Sequence, residues 1–315
     1  MYFPFLRGKQ NELLALRECS DKLTTSKKII PIIEPVTKGS NPLFSCLKCL
    51  NEKNISHIVV YNSLNGHFSK RPSEMKKLAS EIIKKIPSTE FAYIVTNNTT
   101  TAEIHEFLEE TKDRNFSFIH MTAYENPSLL ISSSTSDNFR YHIFTESAVS
   151  RRYKKQFSSF NCVAIKNNFR EVKKNAEYSD PDHEFYTDDH LNFSDDGLFG
   201  FGDYTILPEK FKEGGFQPYT AALHLTHEER DDNEIWVKHF LSEVYDYPTS
   251  DQAKLIHEAL PDLVAFVEKN KPYFDFSTAV SEYIKIHNEG RITNLGLTKK
   301  LSIKHHLELM VEVLK

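Results

Sequence analysis

Phe91–Asn97 reads FAYIVTN, Thr101–Lys112 reads TAEIHEFLEETK, and Phe116–Thr122 reads FSFIHMT. The outer two runs are aromatic and β-branched, as strands are. The middle one carries Ile104, Phe107 and Leu108 at helical spacing. A helix between two strands is too long a connection for a hairpin, so the strands should lie parallel. Working outward, the same pattern predicts strands at Tyr2–Leu6, Ile29–Val36, Ser56–Asn62, Tyr141–Glu146 and Cys162–Lys166. Helices are expected at Asn11–Cys19, Ser73–Lys85 and Pro42–Asn51, the last with Asn41 as N-cap and Pro42 in the first helical position. An open doubly wound sheet and a closed barrel both fit this alternation. No G-x-G-x-x-G follows the first strand, which removes the dinucleotide form of the open sheet. Seven units in series, with an eighth strand expected later, favour an α/β fold of TIM-barrel-like (β/α)8 type.

The 315 residues are 39% hydrophobic, 26% charged and 12% aromatic, which argues against disorder and fibrous repeats. A net charge of −5 excludes a globally basic nucleic-acid binder, but the charge is unevenly spread. Residues 1–176 hold 26 Lys and Arg against 17 Asp and Glu; residues 177–315 hold 13 against 27. One domain is therefore expected over 1–315, with regular βα repeats over 1–176. An acidic insertion with closing strands would occupy 177–240, and a C-terminal helical appendage 241–315. No apolar run suits a signal peptide or a membrane span, so a cytoplasmic location and no membrane partner are expected. Cys19, Cys46, Cys49 and Cys162 are too sparse for a disulfide framework.

Between Glu177 and Asp203 stand nine acidic residues, with His183 and His190 among them and no Lys or Arg. Carboxylates with occasional imidazole suit divalent ions, but the spacing matches no metal loop, and a surface insertion docked on the basic half is the plainer reading. Gly200–Leu207, GFGDYTIL, places Asp203 where a loop would enter a strand. Tyr219–Thr226 and Ile235–Phe240 read as a hairpin, one strand of which would close the barrel. Helices are expected over Asp251–Glu268, Phe276–Asn288 and Ile303–Leu314, with His305 and His306 at the start of the last. Cys46 and Cys49 lack a second ligand pair and read as structural. There is no nucleophile elbow and no Walker A loop.

In parallel barrels the chemistry sits at the carboxyl ends of the strands. Those ends supply Arg7, Lys9, Glu34, Tyr61, Asn62, Thr96–Asn98, His120, Thr122, Thr145, Glu146, Lys166–Asn168 and Arg170. Several of these belong to motifs that run the length of the chain. They are Tyr2–Gln10 (YFPFLRGKQ), Pro31–Pro35 (PIIEP), Gly200–Tyr204 (GFGDY), Ala222–Thr226 (ALHLT), His239–Phe240 and Lys300–Met310 (KLSIKHHLELM). Together they resemble the beta-protein-like family named after a T4-type phage protein, in the bacterial branch encoded beside a nuclease-like partner. Gly290–Gly296 departs from the Gly-rich form expected there. The resemblance implies a TIM-barrel-like fold and a link to antiphage defence or mobile elements, with no established reaction.

Two functions are expected to compete. The first is an enzyme, a phosphoester hydrolase or nuclease, acting on a nucleotide or nucleic acid at a polar barrel mouth. Arg7, Lys9, Lys166 and Tyr204 would bind the ligand, Glu34 and Asp203 would act as base or hold a divalent metal, and His224, His305 or His306 would act as acid. The second is a non-catalytic sensor or adaptor that regulates a nuclease-like companion protein encoded nearby, with a homo-oligomer as a further expectation. A third reading is a DNA-contacting subunit using Lys70-Arg71, Lys76-Lys77, Lys84-Lys85, Arg151-Arg152 and Lys154-Lys155, which predicts steep salt dependence.

Overall fold

The computed structural model describes residues 1–145, 149–214 and 217–315, so Glu146 and Gly215 lie outside the described residues. Its centre is a parallel sheet of eight strands. These are β1 (Phe5–Leu6), β2 (Ile32–Ile33), β3 (Ile58–Val60), β4 (Glu90–Val95), β5 (Phe116–His120), β6 (Phe139–Thr145), β7 (Cys162–Lys166) and β9 (Gly200–Asp203). The intervening β8 (His183–Thr187) belongs to a second sheet. The large sheet curls until its edges nearly meet. Tyr2 bridges Ile29 on one side and Phe201 on the other, and the Phe3 N–H donates to the Phe201 carbonyl.

Alternation along the strands divides the core. Phe5, Ile32, Ile58, Val60, Ala92, Ile94, Ile143, Val163 and Ile165 fill the interior. Leu6, Ile33, Val59, Phe91, Tyr93, Phe118 and Phe144 belong to the cluster shared with the helices. Those helices are α1 (Gln10–Glu18), α2 (Ser20–Ser26), α3 (Asn41–Glu52), α4 (Pro72–Lys85), α5 (Thr101–Glu110), α6 (Pro127–Ser133) and α7 (Arg151–Lys154). A capping box between Thr100 and Glu103 starts α5. Helix α3 starts one residue earlier than expected, with Ser40 as its cap.

The strand that completes the barrel is Gly200–Asp203, and neither strand of the expected hairpin does so. A Cβ on Gly202 would overlap the Phe3 carbonyl oxygen, so the motif's glycine permits closure. The hairpin itself is present as β10 (Ala222–Glu228) and β11 (Ile235–Leu241), antiparallel, with β8 on the far side of β11. After the short α8 (Asp189–Asn192), the remaining helices are α9 (Gln252–Lys269), α10 (Thr278–Glu289) and α11 (Leu295–Val313). Leu223, Leu225 and Phe240 pack with Leu260, Leu263 and Tyr283 of α9 and α10.

Helix α11 begins at Leu295, well before the expected start, so His305 and His306 stand mid-helix. Asn294 caps it through the Leu297 N–H. From Leu301 to Val311 all but Lys304 are buried, and the helix packs on α1, α2, α10 and β10. The acidic run meets the barrel through Asp189–Lys166 at 2.5 Å and Glu184–Arg170 at 2.9 Å. Among the described residues, no helix is long and apolar enough to cross a membrane.

Candidate functional site

Where β1 and β9 end side by side, the chain continues as Arg7-Gly8-Lys9 and as Tyr204 followed by a loop over 207–214. Gly8 takes φ +61°, and a Cβ there would stand 2.9 Å from the Glu34 carbonyl oxygen. The loop covers a cavity of about 250 Å³ with Phe5, Tyr204 and Phe211 as its aromatic lining. Arg7, Lys9, Glu12, Lys210, Lys212 and Lys299 supply the charge, five cations against one carboxylate. Such a mouth favours a small anion.

Arg7 is buried and committed. One guanidinium nitrogen donates to Glu34, the other to the Glu209 carbonyl at 2.5 Å, and the plane lies 4.9 and 5.0 Å from the Phe5 and Tyr204 ring centres. Lys9 donates to the Lys212 carbonyl at 2.8 Å and sits over Phe211. The two cations strap the loop down, while Lys210 and Lys299 make no hydrogen bond or ion pair among the described residues, and burial lowers the pKa of Lys299 against the opposing charge of Glu12. Lys212 pairs with Glu171 at 2.8 Å.

Glu34 stands behind Arg7 and is fully buried. Besides Arg7, it accepts from the Leu64 N–H at 2.9 Å, the Asn65 N–H at 3.0 Å and the Asn65 side-chain amide at 3.1 Å on both oxygens. A carboxylate this saturated has no lone pair to spare for a water or an ion. The carboxyl group that does line the cavity is Glu12, whose Oε2 accepts the Arg7 N–H at 2.5 Å. Burial raises its pKa above the usual carboxylate value, against opposition led by Lys299.

Asp203 and His306 do meet, but in a sealed place. Tyr2 donates to Asp203 Oδ1 at 2.7 Å, and the Thr205 N–H donates to the same oxygen at 2.7 Å. Since the Tyr2 proton is committed, its oxygen accepts from His306 Nε2–H at 3.1 Å, and His306 Nδ1 accepts from Thr226 at 3.1 Å. His305 contacts the Thr226 carbonyl at 2.6 Å and Ser277 at 2.8 Å, and burial lowers its pKa to about 4. His224 pairs with His239 at 2.7 Å beside Phe169 and Tyr178, and burial lowers its pKa far below the usual value. Lys166 pairs with Asp189 away from the mouth cavity.

Arg7, Lys9 and Tyr204 therefore reach the mouth as expected. The five residues expected to do chemistry, Glu34, Asp203, His224, His305 and His306, do not share a cavity: Asp203 and His306 meet at the buried Tyr2 hydroxyl, and Glu34, His224 and His305 are held in separate buried contacts. Glu12, Lys210, Lys212 and Lys299 were not expected there. Lys-Phe-Lys at 210–212 was the one local signal, an aromatic between two cations. The basic helix faces are partly neutralised, with Lys76 on Glu106 and Lys85 on Glu81.

Among the described residues, one group of three has donor atoms close enough to hold a metal: His183, His227 and Glu229. Comparison of the chain with protein-family models, curated proteins and solved structures finds no match in any of the three.

Proposed function

We propose that this is a TIM-barrel-like sensor or adaptor that binds a small phosphate-containing ligand, such as a nucleotide, at the barrel mouth without transforming it. The observation that carries this reading is a cationic, aromatic-lined cavity whose flanking carboxylate, Glu34, is fully taken up by Arg7, Leu64 and Asn65. An anion would meet Lys210 and Lys299 as point charges, and the rings of Phe211 and Tyr204 as flat apolar surface. In the setting that the sequence resemblance implies, the ligand would report infection to a nuclease-like companion protein encoded nearby. A cavity of about 250 Å³ accepts a phosphate group with part of its carrier rather than a duplex.

Calorimetric titration with inorganic phosphate, AMP and ATP tests this. Lys210→Glu should weaken binding at least tenfold while leaving the melting temperature unchanged, and Lys299→Glu should weaken binding as much but also lower stability, because it sets a second carboxylate beside buried Glu12. Failure of all three compounds to bind the wild type would sink the reading.

A second reading, phosphoester hydrolysis, draws on Glu12. A carboxyl group with a raised pKa beside bound phosphate is placed to protonate a leaving oxygen. Steady turnover of a nucleotide by the wild type, lost in Glu12→Gln with ligand binding retained, would favour it over the sensor.

A further inference from the structure

We propose that His183, His227 and Glu229 bind a divalent cation of the zinc class, pinning the edge strand β8 to the hairpin. The two histidines come from β8 and β10, on either side of β11, where His183 is opposite Lys238 and His227 is opposite Trp236. Their Nε2 atoms stand 2.9 Å apart, and the Glu229 carboxylate lies 3.5 Å from His183 Nε2. Two donors on a tetrahedral zinc ion, each about 2.0–2.1 Å from it, are separated by about 3.3 Å. The two separations at His183 are within a few tenths of an ångström of that value, and the three donor atoms all lie within 4.8 Å of one another, so closing on an ion asks chiefly for the partly exposed Glu229 side chain to swing toward His227. Two imidazoles and one carboxylate are a donor set that zinc accepts, with a fourth position left for water.

The surroundings agree with this assignment. Lys238, the nearby cation, is neutralised by Asp182 at 2.6 Å. His183 and Glu229 are each about one-third exposed, so an ion has access from solvent. Without a metal, one Nε2 donates its proton to the other. Binding shifts that proton to the Nδ1 of the same ring, so both Nε2 lone pairs point at the ion and no net proton is released.

The site is independent of the barrel mouth, and its test does not involve phosphate. Protein stripped with a chelator and dialysed is titrated with Zn²⁺ by calorimetry, and with Co²⁺ by visible absorption. The wild type should take up one equivalent, show the intense bands of a tetrahedral Co²⁺ site and melt at a higher temperature with Zn²⁺. His183→Ala and Glu229→Gln alter partly exposed residues. They should weaken uptake at least tenfold and abolish the thermal shift, with unchanged far-ultraviolet circular dichroism. His183→Cys, which restores a zinc ligand, should recover binding. Absence of uptake by the wild type, or uptake that neither variant weakens, would overturn the proposal, the latter because the ion is then held by other histidines.

Discussion

Tyr2 and Asp203 are 201 positions apart in the chain, and their side chains are joined by a 2.7 Å hydrogen bond where the first and last strands of the barrel meet. His306 of α11 reaches the same tyrosine oxygen, and Thr226 of β10 holds His306. One buried chain of hydrogen bonds therefore ties the barrel seam to the last helix and the second sheet. This arrangement accounts for the presence of three polar motif residues in a place that no solvent reaches.

Tyr2→Phe keeps the ring and removes the link. Asp203 retains the Thr205 N–H, while His306 Nε2–H loses the tyrosine oxygen and keeps only Asp203 Oδ2, 3.4 Å away, as a nearby acceptor. Losing a buried hydrogen bond costs about 0.5–1.5 kcal/mol net, so the urea midpoint should fall accordingly. Phosphate-ligand affinity should stay as it was. An unchanged midpoint would mean that this chain of bonds holds nothing together.

Glu34→Gln tests whether the Arg7–Glu34 pair is structural. The change preserves volume but leaves the Arg7 guanidinium buried without its counter-charge. Removing one partner of a buried ion pair costs about 3–5 kcal/mol. Chemical unfolding should show a loss of that order. A variant that kept its stability and lost turnover of a nucleotide would instead make Glu34 a chemical group.

The repeats of the first half were legible because Val, Ile and aromatic runs alternate with amphipathic helices, and packing enforces both patterns. The closing strand was not. Gly200–Asp203 has two glycines in four residues, and only pairing with Lys166 and Phe3 makes it a strand. His183–Thr187 escaped notice because an edge strand rich in polar groups has no apolar alternation to display. At the site, position along the strands marked Arg7 and Glu34 correctly as residues of the strand ends. It said nothing of which partner would consume them. Lys210 and Lys299 come from a loop and a late helix, where sequence carries no trace of the fold bringing them to β1.

Gly202→Ala addresses the seam from the backbone side. The added methyl would collide with the Phe3 carbonyl oxygen and stand 2.6 Å from the Ile165 side chain. Backbone on one side and barrel core on the other leave no room to yield, and overpacking of this kind costs about 1–3 kcal/mol or more. Gly39→Ala is the control, since nothing lies within 4 Å of its Cβ position. Gly202→Ala should lower the melting temperature or prevent folding, while Gly39→Ala should leave it within a degree or two. Equal behaviour of the two would contradict the close approach of β9 to the first strand.

The last prediction concerns acid. Behind β5 and β6, the Tyr124 N–H donates to the Tyr153 oxygen at 3.2 Å, and Tyr153 contacts His120 Nδ1 at 3.1 Å. His120 Nε2 then meets His142 Nδ1 at 3.0 Å, His142 Nε2 meets Ser134 at 3.0 Å, and Ser134 donates to the Leu130 carbonyl at 2.7 Å. Because the Ser134 proton is committed, every proton in the chain points the same way and both imidazoles are neutral. An added proton would find no acceptor, and burial lowers the pKa of His142 to about 3 and that of His120 well below 6.5. The unfolded chain takes up these protons below pH 6.5 and the folded one does not. Stability therefore falls as pH drops from 6.5, by up to about 1.4 kcal/mol per unit for each such histidine. His227 and His305, at about 4, act in the same direction. Between pH 6.5 and 5 the carboxylates with lowered pKa, such as Glu308 and Glu282, contribute little, because their usual value is 4.5, while those that burial raises, Glu12, Glu90 and Glu228, act in the opposite direction and offset part of the loss. Urea midpoints should hardly change from pH 8 to 7 and should drop steeply from 6.5 to 5. His142→Gln, which cannot titrate, should be less stable at neutral pH and should show a shallower drop. A slope as steep as that of the wild type would show that His142 takes up its proton as readily in the folded chain as in the unfolded one.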